Sequence, residues 1–218
     1  MGKNPPFYSP AQRQLQAQFH SEALATRLEE LIVHPELDGP AQEFVHKADY
    51  FFLSTVSDSG FPSVSYKGGD PGFVKIMSAT QLAFPCYDGN GMYYSMGNIA
   101  AHAKVGLLFI DFETPNRLRI EGTALLSQAP GLLEQWPETA LACVVDITHA
   151  WINCPRYIHP MQRQGSSEFV PRAGVKTPQP EWKSSAPVAD VVPQPAHTLG
   201  THGQFPQLTT TAKKKDPS

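Results

Sequence analysis

The chain has 218 residues, 41% of them hydrophobic, which suffices for one sizeable core, while 21 prolines and 16 glycines mark part of it as irregular. A formal net charge of -3 gives no electrostatic reason for nucleic acid or an anionic membrane as a partner. No stretch approaches the roughly 20 apolar residues of a spanning helix, and Met1 to Pro10 has neither an apolar h-region nor a cleavage site, so a cytoplasmic protein is expected.

Ser9-Pro10 supplies an N-cap and a first helical residue ahead of Leu15, Phe19, Leu24, Leu28 and Leu31, whose spacing predicts one amphipathic helix ending before His34-Pro35. Asp38-Gly39-Pro40 opens a shorter helix toward His46. From Tyr50 onward, short runs of aromatic and β-branched residues alternate with glycine-containing turns, the pattern of an antiparallel barrel or sandwich. Strands are predicted at Tyr50–Val56, Ser63–Tyr66, Phe73–Met77, Gln81–Pro85, Met92–Tyr94, Val105–Asp111, Leu118–Leu126 and Ala140–Ile147. Asp58-Ser59-Gly60 closes the first pair as a hairpin. Helical interruptions are expected at Asn98–Lys104 and Gly131–Gln135.

Residues 171–218 hold eight prolines and little periodicity, so they are expected to be disordered or draped over a partner surface, with Lys213 to Lys215 as a solvated tail. The expected division is an N-terminal helical arm over 1–43, a barrel over 44–160 and a proline-rich extension over 161–218. Cys86, Cys143 and Cys154 are odd in number and lack C-x-x-C spacing, which indicates neither a disulfide framework nor zinc; buried, reduced thiols are expected.

Two segments carry candidate chemistry. In GFPSVSYKGGDPGFVK, from Gly60 to Lys75, a strand runs into a glycine-rich loop bearing Lys67, a cation able to meet a phosphate beside backbone N–H groups. Ser65 shares its face because side chains alternate along a strand. Taken alone, a lysine beside Gly68-Gly69 is more often a solvated hairpin end, and the spacing is not that of a Walker A loop. In YDGNGMYYSMGNIAAHAKVGLLFID, from Tyr87 to Asp111, Ser95, Gly97 and Asn98 open a short helix, where they suit either a cap or an anion site. His102, His149 and His159 lack metal-ligand spacing and read as packing or surface groups. No G-x-S-x-G nucleophile elbow occurs.

Together, FFLSTV, SDSGFPSVSYKGG, GNGMYYSMGNI, VGLLFIDFETP and NCPRYIH, spread over Phe44 to Ile158, resemble the pyridoxamine 5'-phosphate oxidase-like split-barrel family. That resemblance implies a mainly β (α+β) fold, a six-stranded antiparallel split barrel with flanking helices. It also implies a homodimer that holds flavin mononucleotide (FMN) at its interface. By the same resemblance Pro62, Ser63, Val64 and Ser65 line the isoalloxazine edge, Lys67 faces the phosphate or ring, and Ser95 and Asn98 hold the phosphate. Trp151 and Arg156, in WINCPRYIH, reach toward the partner's flavin; read without the resemblance, Trp151 belongs to the core and Arg156 to a surface ion pair. Tyr94 stands where many relatives carry a basic residue, which lowers the expected affinity for a phosphate.

The Arg- and His-containing substrate segment of true pyridoxamine phosphate oxidases is missing from the C-terminal region, so vitamin salvage is not expected. The implied activity is an FMN-dependent oxidoreductase acting on a small molecule. A flavin- or haem-binding sensor and a scaffold with a decayed site are the alternatives.

Overall fold

The computed structural model describes residues 5–198; the Lys213–Lys215 run lies outside them. One seven-stranded sheet organises the chain, with strand order β2-β1-β5-β6-β7-β4-β3. Its strands are β1 (Tyr50–Val56), β2 (Pro62–Gly68), β3 (Lys75–Ser78), β4 (Gln81–Pro85), β5 (Lys104–Asp111), β6 (Asn116–Ser127) and β7 (Ala142–Asn153). Every neighbouring pair is antiparallel. The mainly antiparallel class with flanking helices is as expected, but the sheet has seven strands instead of six and stays open, with β2 and β3 at its edges.

The hairpin at Asp58-Ser59-Gly60 forms as expected, with Gly60 at φ 82° and the Gly60 N–H donating to Ser57 O at 2.8 Å. Helix α3 (Gly39–Lys47) starts where Asp38 accepts from the Ala41 N–H at 2.9 Å, with a proline in its first turn. Helix α4 (Tyr94–His102) follows a glycine-containing loop, and the short α5 (Pro130–Leu133) joins β6 to β7.

The core lies where α3 and α4 meet one face of the sheet. Phe51, Phe84 and Phe109 are fully buried, with Phe51 5.0 Å from Phe84 and 5.1 Å from Phe109 between ring centroids. Ala41 and Val45 of α3 and Met96 and Ile99 of α4 join them. Trp136 closes a smaller cluster with Ala83, Leu133 and Ala142, and its indole N–H donates to Phe73 O at 2.6 Å.

Four expectations need correction. The single N-terminal helix is a pair, α1 (Pro10–Gln18) and α2 (Glu22–Ile32), because the chain turns at His20 with φ 55°. Its apolar stripe is uncovered, with Phe19 71%, Leu24 63% and Leu31 63% exposed. Met92–Tyr94 is no strand: Gly91 and Tyr93 take positive φ, Asn90 Oδ1 accepts from the Met92 N–H, and Tyr94 already begins α4. Strand β7 runs on to Asn153, since its second half pairs with β6 and is bridged at Ala150 by His34. Of the three thiols, Cys143 is buried, Cys86 partly so, and Cys154 is exposed.

Candidate functional site

The sheet brings the two candidate segments together. Ser65 and Lys67, two residues apart on edge strand β2, project on one side because of the strand's alternation. Opposite them α4 begins, and the buried Ser95 hydroxyl donates to Ser65 Oγ at 3.0 Å. These residues line a cleft of about 590 Å³ together with the loop Cys86–Tyr94. A volume in this range is typical of small-molecule and cofactor sites.

The anchors of this cleft are backbone features. Gly68 and Gly69 follow Lys67, and the Gly69 N–H donates to Asp49 O at 2.8 Å. A Cβ on Gly69 would lie 2.3 Å from Phe73 Cγ, so only glycine lets the loop pass this close to the core. At the other wall, Tyr93 holds the N-cap position of α4 in the left-handed region, φ 49°, and no side chain caps the helix. The first-turn N–H groups therefore retain capacity for an acceptor, and the helix dipole favours negative charge there.

Among the described residues the Lys67 ammonium makes no hydrogen bond or ion pair, although the side chain is half-buried in the cleft. An unpaired cation, two hydroxyls and an uncapped helix N-terminus form a donor set suited to a phosphate or carboxylate.

Two tyrosines and a cysteine of the cleft, Tyr87, Tyr93 and Cys86, keep their protons near neutral pH. Burial first, then the charge of Asp70, pushes the Tyr87 hydroxyl up to about 12. Burial first, then Cys86 and Asp88, raises Tyr93. Burial also raises the Cys86 thiol, with Lys67 pulling in the opposite direction. A raised thiol pKa leaves less thiolate at pH 8 and slows alkylation. Iodoacetamide followed by mass spectrometry should therefore modify exposed Cys154 first, Cys86 more slowly, and Cys143 only on unfolding. Equal rates at Cys86 and Cys154 would contradict the placement of Cys86.

The remaining sequence candidates lie elsewhere. Pro62, Ser63 and Val64 continue along the edge of β2, with Val64 68% exposed. The Asn98 amide donates to the buried Thr55 hydroxyl at 3.0 Å and so pins α4 to β1. Trp151 is buried beneath Phe7, 5.0 Å between centroids, with the Arg119 guanidinium 5.6 Å from its ring. Arg156 is exposed in the loop after β7. Ala142 begins β7 near the cleft, and Trp151 lies nine residues further along it, about 30 Å by strand rise; neither Trp151 nor Arg156 lines this cleft.

Sequence reading missed a whole wall of the cleft. Trp182, Lys183, Val188, Val192, Ala196 and His197 of the C-terminal segment lie across it. The expectation for this segment, disorder or a place on a partner surface, is corrected over its described residues, which form 3₁₀ turns at Glu181–Ser184 and Ala196–Thr198 and cover the chain's own cleft.

A model of the pyridoxamine 5'-phosphate oxidase family matches residues 37–146, just over half of the chain. No curated protein matches it in sequence. Among solved structures, HupZ from Group A Streptococcus is 14% identical, with a TM-score of 0.44, over 53% of this chain and 93% of its own. A Lactobacillus delbrueckii protein provisionally assigned as a pyridoxamine 5'-phosphate oxidase is 21% identical, with a TM-score of 0.45, over 54% of this chain and 95% of its own. An FMN-binding protein from Syntrophomonas wolfei is 10% identical, with a TM-score of 0.40, over 64% of this chain and 97% of its own.

Proposed function

The chain belongs to the pyridoxamine 5'-phosphate oxidase family, and we propose that it is an FMN-binding flavoprotein, an oxidoreductase for a small molecule other than pyridoxamine phosphate. The observation that carries this reading is Lys67, an unpaired cation beside the Ser65–Ser95 pair and the uncapped start of α4. These groups fit the phosphate of a flavin mononucleotide: Lys67 supplies charge, Ser65, held by the Ser95 hydroxyl, supplies an O–H donor, and the first turn of α4 supplies N–H donors. Tyr94, at the head of that helix, contributes no charge, so the hold on phosphate rests on these donors.

Bound flavin would supply the hydride or electron transfer, and the protein would orient it and exclude water. Tyr87, Tyr93 and Cys86, held protonated, are suited to packing and hydrogen bonding rather than to proton abstraction.

A homodimer with flavin at its interface goes with this reading. Phe61, Val64 and Tyr66 leave the β2 edge apolar and exposed, at 71%, 68% and 61%, a surface that a second copy would cover. Trp151 and Arg156, distant from the cleft of their own chain, would then serve the partner's. The arm at 1–43 and the extension at 161–218 are read as flanking pieces of one barrel, and the free thiols suit a reducing, cytoplasmic setting.

The oxidoreductase reading is tested by mixing FMN-loaded protein anaerobically with NADH, NADPH or a reduced deazaflavin. Bleaching of the flavin band by one of them supports it. No bleaching by any of the three supports a flavin-binding protein without turnover. Light scattering at micromolar concentration checks the dimer, and a monomeric mass would remove it.

A further inference from the structure

The C-terminal segment meets the cleft in a way its own composition does not explain. Its base is fixed: Arg172 donates to both carboxylate oxygens of Asp70, at 2.8 and 2.7 Å, in the loop that follows Lys67. Beyond that base, residues 178–198 reach the rest of the described chain through one polar contact, the Lys183 ammonium on the Asp88 carboxylate. Asp88 belongs to the opposite loop of the cleft, the one leading into α4.

Every other hydrogen bond of residues 178–198 closes a turn within the segment itself, such as Ala189 N–H to Ser185 O and Val191 N–H to Val188 O. The Lys183 side chain is only 9% exposed, whereas its partner Asp88 is 48% exposed. Val188, Val192 and Ala196 turn half-buried faces to the cleft. A segment with a fixed base, small apolar contacts and one charged fastening opens at a low free-energy cost compared with the sheet beneath it.

We propose that residues 178–197 are a lid over the cleft, latched by Lys183 on Asp88, and that its opening admits and releases the bound flavin. The second half of this statement rests on the cleft being the flavin site; the latch itself does not. A lid limits both directions of exchange. Releasing it therefore speeds association and dissociation together, whereas loss of a direct ligand contact would speed dissociation alone.

Two measurements on the full chain test this. The first uses a lysine-specific protease without flavin, comparing cleavage after Lys183 with cleavage after exposed Lys176 as an internal reference. In the wild type, cleavage after Lys183 is slow relative to Lys176; in Asp88→Asn it accelerates at least about fivefold. Equal relative rates in the two proteins overturn the latch. The second follows FMN binding and release by stopped-flow fluorescence. Asp88→Asn and Lys183→Ala raise both rate constants severalfold, while Lys183→Arg stays near wild type. A rise in dissociation alone, or no change in either rate, overturns the lid. Wild-type protein that binds no FMN defeats the flavin reading, and the protease comparison then decides the latch by itself.

Discussion

Replacing Lys67 by alanine weakens FMN binding roughly ten- to a hundredfold in a fluorescence titration, with the melting temperature near that of the wild type. The range follows from a charge-assisted hydrogen bond being worth about 1.5–3 kcal/mol. Little stability is at stake because the ammonium makes no hydrogen bond or ion pair among the described residues, so its removal leaves none of them unsatisfied. Lys67→Arg should retain much of the affinity, since charge is kept while the donor geometry changes. An unchanged affinity for Lys67→Ala would remove Lys67 from the site and leave the α4 N-terminus without its nearby cation.

Gly69→Ala acts on the same site from behind and should cost stability as well as affinity. The new Cβ would meet Phe73 Cγ at 2.3 Å and Phe73 Cβ at 2.6 Å, atoms too close to the backbone to swing away. Phe73 is itself held: its ring stacks 5.9 Å from Phe51, and its carbonyl accepts from the Trp136 indole. Relief must come from the loop or from the core, and overpacking of this kind costs about 1–3 kcal/mol. For a chain of this size that lowers the melting temperature by roughly 3–10 °C. Flavin affinity should fall with it, because the displaced loop carries Lys67. Gly131→Ala is the control: a Cβ there meets nothing within 4 Å, and no loss of stability is expected. An unchanged melting temperature for Gly69→Ala would contradict the close approach of loop and core.

The strands were legible because their signal is local. Alternation in FFLSTV places Phe51 and Leu53 inward, and Gly60 marks the turn that sets the β1–β2 register. The same alternation put Ser65 and Lys67 on one side of β2, and both line the cleft. Met92–Tyr94 misled because a short aromatic run looks like a strand, whereas Gly91 and Tyr93 take positive φ and the Met92 N–H turns back to Asn90 Oδ1, which breaks it.

Contacts made at a distance along the chain left no such trace. The extra reach of β7 depends on pairing with β6 and on the His34 bridge, neither of which shows in the run from Ala142 to Asn153. Asn98 and Ser95 both looked like phosphate ligands at a helix start. Three residues apart, they share a face of α4 but lie one turn apart along its axis, so Ser95 meets Ser65 on β2 while Asn98 meets Thr55 on β1. The lid was the least legible element: Lys183 and Asp88 are 95 residues apart, and a proline-rich segment without periodicity gives no indication of the surface it will cover.

The central claim is that the cleft between β2 and α4 holds flavin mononucleotide. Its most direct test is an absorption spectrum of the purified protein after incubation with FMN and passage through a desalting column, with Lys67→Ala run in parallel. The account predicts that wild type keeps yellow colour with shifted flavin bands and that the variant retains much less. A wild-type protein that emerges colourless would contradict it.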